Sequence, residues 1–495
     1  MPLLIDLLGG MGDVMSLQES CKDLAVRGIS ADSSKVKDGY VFVAIKGDKR
    51  DGTDFIPQAI ANGAMAIVMG KDSVVVDCDI PVVMVEEARL ALAKMAVSFY
   101  RRQSEKIVAI TGTDGKTSVA DFFRQIMHSM GDSSASIGTI GVIAGDGKNL
   151  YPEGLTTPDP VELHRILDEL VSGGIDYLAM EASSHGLSQY RLDGVNLSAA
   201  AFTNFGRDHL DYHKTPEAYF SAKSRLFKEL LPAGRNAVLN CDDKMFPELE
   251  SICKERGHDI IGFGKNTGEL KIESIVPDAY GQEVKLTLFG KKYNSHIPLV
   301  GEFQVMNVLA AIGLAVSVGG NLEKILGLIQ KLKGVSGRLE LAVRTQNDAS
   351  IFVDFAHTPL ALANILKTLR EHTAGKLYLV FGCGGDRDKG KRPQMGKIAG
   401  ELADYSVVTD DNPRSEDPRI IRKEVLEGFM DRNKCVEVAG REEAIYVAVE
   451  KLKKGDVLVI AGKGHEKNQI VGDQKLPFDD VKVACAAADK LNGVL

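Results

Sequence analysis

Residues 107–118 read IVAITGTDGKTS. An apolar run breaks into a cluster of Gly, Thr, Asp, Lys and Ser, and SVADFFRQIMHSM (118–130) follows with the spacing of an amphipathic helix. A buried strand, a Gly-rich turn and a helix in that order bring backbone N–H groups and a helix N-terminus to one point, which suits an anion. Gly112 and Gly115 let the backbone approach a ligand with no Cβ in the way. Lys116 offers a point charge to β- and γ-phosphates, and Thr117 offers a hydroxyl to Mg²⁺. The common pattern G-x-x-x-x-G-K-[ST] has its first Gly where this chain has Ile110. The donors that matter lie at the other end of the loop, so nucleotide binding is expected despite Ile110.

At 495 residues the chain exceeds one hydrophobic core, and two to four domains are expected. From 1 to 103, YVFVAIKG (40–47) and AMAIVMG (64–70) read as strands and FIPQAIANG (55–63) as a short helix. SEKIVAITG (104–112) opens a second block, with strands expected at 107–111, 177–183, 198–204 and 236–240 and a helix in GEFQVMNVLAAIGLAVSVG (301–319). KGVSGRLE (333–340) supplies a Gly-punctuated linker. The last block alternates apolar runs at 351–355, 376–381, 405–409, 435–439 and 456–461 with helical patterns. Such alternation predicts a mostly parallel sheet covered on both faces. The expected fold is therefore α/β in three domains, 1–103, 104–335 and 336–495. Ligands gather at the carboxyl ends of strands in such sheets. CGGDRDKGKRP (383–393), DDNPRSEDP (410–418) and GKGHE (462–466) each follow one of the late apolar runs.

Composition narrows the classes. Hydrophobic residues make up 44% and charged residues 26%, as in an ordinary globular enzyme. A net charge of −8 argues against a nucleic-acid binder, although local basic clusters can still meet an anionic substrate. The seven Cys form no C-x-x-C pair, which suggests neither a zinc knot nor a disulfide framework and fits a reducing cytosol. MPLLIDLLGGMGD (1–13) lacks the basic start of a signal peptide, and no apolar run approaches the roughly 18 residues that span a bilayer. A cytoplasmic location is expected.

TGTDGKT (111–117) also matches T-G-T-[ND]-G-K-[TS], and here the chain resembles the Mur ligase family. TTPDP (156–160), MEASSHGLSQYR (180–191), FTNFGRDHLDYH (202–213), YFSAKSRLF (219–227), NVLAA (307–311), GRLE (337–340) and VDFAHTP (353–359) carry the resemblance over nearly the whole length. It implies a central domain with a P-loop ATPase-type parallel sheet, a Rossmann-like C-terminal domain and an N-terminal α/β domain that binds UDP. It also implies ATP-dependent peptide synthesis for peptidoglycan, with ATP and Mg²⁺. A carboxylate of UDP-MurNAc-L-Ala-D-Glu attacks the γ-phosphoryl group, and an incoming amine then displaces phosphate to form an amide. A monomer that neither binds nucleic acid nor inserts in the membrane is expected. Its two ligand-holding ends must close on each other, about a hinge near 333–338.

The resemblance assigns residues as well. Gly112, Thr113, Asp114, Gly115, Lys116, Thr117 and Ser118 match the ATP loop, with Asp114 where Asn is commoner, and Asn307, Arg338 and Asp354 match further ATP contacts. Lys116, Glu181, His209 and Lys223 are the implied catalytic residues, and Thr117, Glu181, His209 and Lys223 the implied Mg²⁺ ligands. Taken alone, Glu181 reads as a strand-end carboxylate, His209 as a packed or surface histidine and Lys223 as a solvated helix lysine. The family carries a carbamylated lysine at the motif containing Lys223; an amine that loses its proton adds CO₂ and becomes an anion able to bind metal. Thr156, Thr157, Ser183, Gln189 and Arg191 match residues that hold the UDP-MurNAc-dipeptide, with Leu155 where the family often has Asn. ADSSKV (31–36) resembles the uridine-binding turn and points to Ala31 and Ser33. Lys49 and Arg50 in GDKRDG (47–52) are either diphosphate contacts or a solvated basic pair.

The amino acid added is read from DDNPR (410–414). In relatives that add meso-2,6-diaminopimelate the motif is D-N-P-R, and its Arg pairs with a carboxylate that lysine lacks. Asp411, Asn412, Pro413 and Arg414 supply that motif here, while Arg387, Gly462 and Glu466 match the remaining contacts. A charge-assisted hydrogen bond contributes about 1.5–3 kcal/mol, roughly a 10- to 150-fold preference. Meso-diaminopimelate is thus the expected amine. The alternatives are an L-lysine-adding counterpart, a folylpolyglutamate synthetase and a non-catalytic ATP-binding scaffold.

Overall fold

Val, Ile, Leu and Ala runs without polar interruption make strands that must be covered on both faces. The computed structural model of the chain describes residues 1–9, 14–16, 23–47, 50–73, 78–152, 154–206, 208–278 and 280–491, so Lys49 lies outside it. The fold is mixed α/β with parallel sheets, and the chain forms two compact units. One comprises Met1–Lys271 with Asn307–Ile325, the other Ile272–Met306 with Leu326–Leu495.

In the first unit the strand Lys106–Thr111 runs between Leu197–Phe202 and Tyr177–Glu181, parallel to both. Asn236–Asn240 and Asp259–Gly264 extend the parallel sheet on one side and Ser134–Gly138 on the other. Ile107, Val108, Ala109 and Ile110 are all fully buried. Ile110 therefore belongs to the strand, in register with Glu181 and Ala201, and the loop begins only after it. The helix Lys116–Met130 starts two residues before the apolar periodicity, because Gly115 at φ 84° serves as its N-cap. A second sheet in this unit has the order Val14–Ser16, Val82–Val85, Ala64–Gly70, Tyr40–Ala44, Gly28–Ser30, parallel except at its first pair.

The second unit holds a six-stranded sheet in the order Glu340–Arg344, Ser350–Asp354, Val457–Ala461, Leu377–Phe381, Tyr405–Val408, Cys435–Glu437. Only its first pair is antiparallel. The five strands expected at 351–355, 376–381, 405–409, 435–439 and 456–461 are all present. Two antiparallel hairpins were not expected: Gly281–Leu288 with Lys291–Ile297, and Asn468–Val471 with Gln474–Pro477. Their strands are rich in Lys, Glu, Gln and Asn, which hides them from an apolar-run reading. Among the described residues, no helix is long and apolar enough to cross a membrane.

The carboxyl end of this second sheet is tied down by a buried ion pair. Arg441 and Asp480, both 0% exposed, meet through two hydrogen bonds of 2.8 Å, and Arg441 also donates to the carbonyl of Ala461 at 2.9 Å. The pair joins the helices Arg441–Val449 and Asp480–Leu491 to the last residue of the strand Val457–Ala461. Removing one partner leaves the other charged in a dry site. Asp480→Ala is expected to cost about 3–5 kcal/mol in urea melts, while Arg441→Met with Asp480→Leu recovers most of that loss. Equal destabilisation by the single and double variants would count against this account.

Candidate active site

The polar residues gather in three clusters, two in the first unit and one in the second. The first is the loop after Lys106–Thr111. Gly112 has φ 146° and Gly115 φ 84°, and a Cβ at either would collide with Thr203 Oγ1 or with the side-chain amide of Asn307. The loop is fastened from TNFG: Thr113 N donates to Asn204 O (2.9 Å), Asp114 N to Asn204 Oδ1 (2.9 Å), and Thr203 Oγ1 to Asp114 O (2.6 Å). The exposed Asp114 contributes to this fastening through its backbone, so Asp in place of Asn leaves the loop geometry intact. Lys116 Nζ folds back onto Gly112 O (2.9 Å) and Thr113 O (2.7 Å). Ser118 is buried in the first turn.

Lys223, 1% exposed, also points at this loop. Its Nζ donates to Gly112 O at 2.6 Å and lies 4.5 Å from the centroid of Tyr219. Burial, with Lys116 nearby, pushes its pKa down to about 6. His209 is exposed, with φ 50°; its ring is 6.2 Å from Tyr219 and 4.9 Å from His185. Glu181 ends its strand fully buried, accepting from Thr139 N (2.9 Å), Thr139 Oγ1 (3.2 Å) and the Thr117 hydroxyl. Burial pushes the carboxyl upward, against the pull of Lys116 and these donors. The implied catalytic residues are thus linked through Lys116 and Tyr219.

The second cluster adjoins Glu181. Thr156 Oγ1 lies 3.0 Å from Thr139 Oγ1, and Thr157 Oγ1 donates to Glu181 O (2.9 Å) beside Ser183 Oγ (3.0 Å). Arg191 donates to Thr157 O and Gln189 Oε1, each at 2.7 Å, and Gln189 in turn bonds Tyr212 (3.1 Å). The five residues expected to hold the dipeptide therefore form one network. Leu155 is exposed beside it. In the N-terminal sheet region, Ser33 is buried and bonds Gln58 (2.8 Å), while Ala31 is exposed. Arg50 sits over the Phe55 ring at 5.9 Å.

The third cluster, in the second unit, brings the loops 383–390, 410–417 and 462–468 together. Arg414 Nη1 donates to Gly385 O (2.8 Å), and Arg414 N to Ile470 O (3.1 Å). Asp386 and Arg414 hold φ values of 54° and 52°. They are kept there by Asp386 accepting from Ser415 and by Glu416 accepting from Asp386 N (2.6 Å). Arg392, 0% exposed, grips Glu416 at 2.9 Å and Glu424 at 2.6 Å. Asn412 Nδ2 donates to Glu466 Oε2 (2.9 Å), and Asp411 Oδ1 accepts from Asn412 N (2.6 Å). A Cβ on Gly462 (φ 115°) would strike the Asp411 carboxylate. Pro413 crowds Gly385 with its carbonyl, while Arg387 is exposed and donates to Asp386 O at 3.2 Å. Asp354 is buried, accepting from Leu339 N (2.8 Å) and Ala356 N (2.7 Å), and Arg338 lies over Phe355 at 5.2 Å.

The sequence reading passed over Thr139, Asn204, Tyr219, Arg392 and Lys463. All but Thr139 stood inside motifs already singled out, but a polar side chain in a loop or at a helix start looks solvated until its burial is seen.

Comparison with known proteins agrees with this geometry. Residues 25–100 match the Mur ligase family catalytic domain, 110–315 the Mur ligase middle domain, and 337–464 the Mur ligase glutamate ligase domain. A Rhizobium meliloti (strain 1021) protein named UDP-N-acetylmuramoyl-L-alanyl-D-glutamate--2,6-diaminopimelate ligase is 48% identical over 94% of each chain. A protein of the same name from Agrobacterium fabrum (strain C58 / ATCC 33970) is 47% identical over 95% of this chain and 94% of its own. A solved structure of a ligase of that name has a TM-score of 0.75 at 32% identity, covering 96% of this chain and 97% of the other. A folylpolyglutamate synthase from Mycobacterium tuberculosis, 17% identical with a TM-score of 0.58, covers 82% of this chain and 95% of its own, and shares the fold alone. With three Mur ligase domains matched in succession along its length and relatives at nearly half identity over 94–95% of it, the chain belongs to the Mur ligase family.

Proposed function

We propose that the protein is the ATP-dependent ligase that adds meso-2,6-diaminopimelate to UDP-N-acetylmuramoyl-L-alanyl-D-glutamate in peptidoglycan synthesis. One observation carries the reading: relatives of that name at 46–48% identity span 93–96% of the chain. In this reading the protein is a cytoplasmic monomer with the domains 1–103, 104–335 and 336–495. A movement of the C-terminal domain about 333–338 delivers the amine to the acyl phosphate.

ATP is bound at the loop 112–118, chiefly by the N–H groups from Gly115 to Ser118 at the helix N-terminus, with Lys116 turning from its backbone carbonyls to the phosphates. Asn307, Arg338 and Asp354 hold the rest of the nucleotide. Thr156, Thr157, Ser183, Gln189 and Arg191 hold the dipeptide carboxylate, and Ala31 and Ser33 the uridine. Thr117, Glu181, His209 and a carbamylated Lys223 fit Mg²⁺, whose ligands are oxygen-rich and include one or two carboxylates. The fit rests on Glu181, whose burial raises its pKa, a condition that a bound cation relieves. When bound, Mg²⁺ supplies charge neutralisation to the transferring phosphoryl group. Lys223 supports carbamylation because its depressed pKa leaves a neutral amine at pH 7. Arg387, Asp411, Asn412, Pro413, Arg414, Gly462 and Glu466 hold the amino acid, with Arg414 on its distal carboxylate and Glu466 on its distal ammonium.

The deciding assay is phosphate release with UDP-MurNAc-L-Ala-D-Glu, ATP and Mg²⁺, comparing meso-diaminopimelate with L-lysine. Turnover with diaminopimelate alone is expected; equal use of lysine would point to the lysine-adding counterpart, and no turnover with either to a folate enzyme or a scaffold. Lys116→Ala is expected to lower kcat about 10²- to 10³-fold without moving Tm, as loss of one transition-state charge contact does. Arg414→Ala should remove a roughly 10- to 150-fold preference for diaminopimelate over lysine.

The uncarbamylated Lys223 also predicts a pH dependence. Its pKa falls from 10.5 in the unfolded chain to about 6 in the folded one. The unfolded chain thus holds this proton across the window between those values, and stability rises with pH through it. Lys223→Met should flatten that part of the Tm-versus-pH curve in CO₂-free buffer; an unchanged slope would refute the shift.

A further inference from the structure

Lys463 has no assigned role, yet it lies at the centre of the third cluster. The side chain is 0% exposed. Its Nζ donates to Asn412 Oδ1 (3.1 Å), Glu466 Oε2 (2.8 Å) and Asn468 O (2.6 Å). An ammonium has three protons, and the three acceptors use all of them. Two acceptors belong to side chains that the functional reading puts on the amino acid. The third begins the hairpin strand Asn468–Val471, whose Ile470 exchanges backbone bonds with this same cluster: Ile470 N donates to Asn412 Oδ1 (2.9 Å), and Ile470 O accepts from Arg414 N (3.1 Å).

The orientation of Asn412 follows from this arrangement. With its Oδ1 receiving Lys463 and Ile470 N, its amide must turn Nδ2 toward Glu466. The Glu466 carboxyl is pushed up by burial, but the bonds from Lys463 and Asn412 outweigh that and hold it below its ordinary range. Glu466 thus stays ionised with a fixed direction, and Arg414 is anchored through the same hairpin. With its three protons committed to Asn412, Glu466 and Asn468, Lys463 has none left to offer a substrate.

We propose that Lys463 is a positioning residue that sets the selectivity of the amine site by fixing Asn412, Glu466 and, through the 468–471 strand, Arg414. The inference rests on the functional reading above. It extends that reading from the side chains that meet the amino acid to the buried cation that orders them.

The test is steady-state kinetics of the full chain carrying Lys463→Met, Lys463→Arg, Glu466→Gln and the Lys463→Met/Glu466→Gln double variant, with Tm measured for each. Lys463→Met is expected to raise the KM for meso-diaminopimelate at least 10-fold and to narrow its preference over lysine. The KM values for ATP and UDP-MurNAc-L-Ala-D-Glu stay within about twofold, since only the amine site is disordered. Lys463→Arg, which keeps the charge, recovers part of the effect, and the double variant is little worse than Glu466→Gln alone. If Lys463→Met does not fold, a selective rise in the diaminopimelate KM of Lys463→Arg decides in favour. An unchanged diaminopimelate KM, a parallel change in all three KM values, or strict additivity with Glu466→Gln overturns the inference while wild-type activity stands. A wild type that does not use diaminopimelate overturns the functional reading and this inference with it.

Discussion

A cation taken out of water must be surrounded by oxygen or lose its proton. Lys223, Arg392, Arg441 and Lys463 are all at or near complete burial, and each sits at the carboxyl end of a parallel sheet. There the backbone offers carbonyls no longer used by the ladder: Gly112 O for Lys223, Gly384 O for Arg392, Ala461 O for Arg441. Where carboxylates complete the shell, as around Arg392 and Arg441, the guanidinium keeps its charge and pins loops or helices. Where they do not, as around Lys223, the amine is driven toward neutrality and becomes a chemical resource. One desolvation constraint thus yields two outcomes, a rigid scaffold and a reactive group.

Much of this was legible in the sequence because parallel strands leave an unmistakable trace. The runs around 107–111, 236–240, 351–355 and 456–461 are short, apolar and closed by turn residues, and each became a buried strand. The hairpin strands Lys291–Ile297 and Gln474–Pro477 were not legible, since exposed faces admit Lys, Asn and Gln, and no apolar rhythm survives. The same asymmetry governs the site. Residues within motifs, such as Lys116, Glu181 and Arg414, were named before any geometry was known. Thr139, outside every motif, and Arg392, unnamed within 383–393, were missed because their importance lies in what they hold, and a linear chain does not record which carboxylate a guanidinium will find. Ile110 shows the reverse: it breaks a pattern on paper and causes no disturbance, because the position is strand and not loop.

Fold and specificity separate cleanly in this molecule. A folylpolyglutamate synthase shares the architecture at 17% identity, so the sheets alone say nothing about which amine or acid is joined. On the proposed reading, discrimination resides in the loops beyond the strands, where a few side chains are aimed by partners that never meet the ligand. Glu416 under Arg392 and Glu466 beside Lys463 illustrate the economy of this plan: the same residue types that recognise a zwitterion also brace one another.

The left-handed backbone of Asp386 and Arg414 has a consequence for the history of the chain. A non-glycine residue in that region carries strain of about 1 kcal/mol or more, which glycine would release. Glycine at 414 would thus ease the fold while deleting the guanidinium. On the proposed role of Arg414, a lineage relieved of its need for the product, or a laboratory lineage selected only for heat resistance, has a ready path to lose selectivity at this residue.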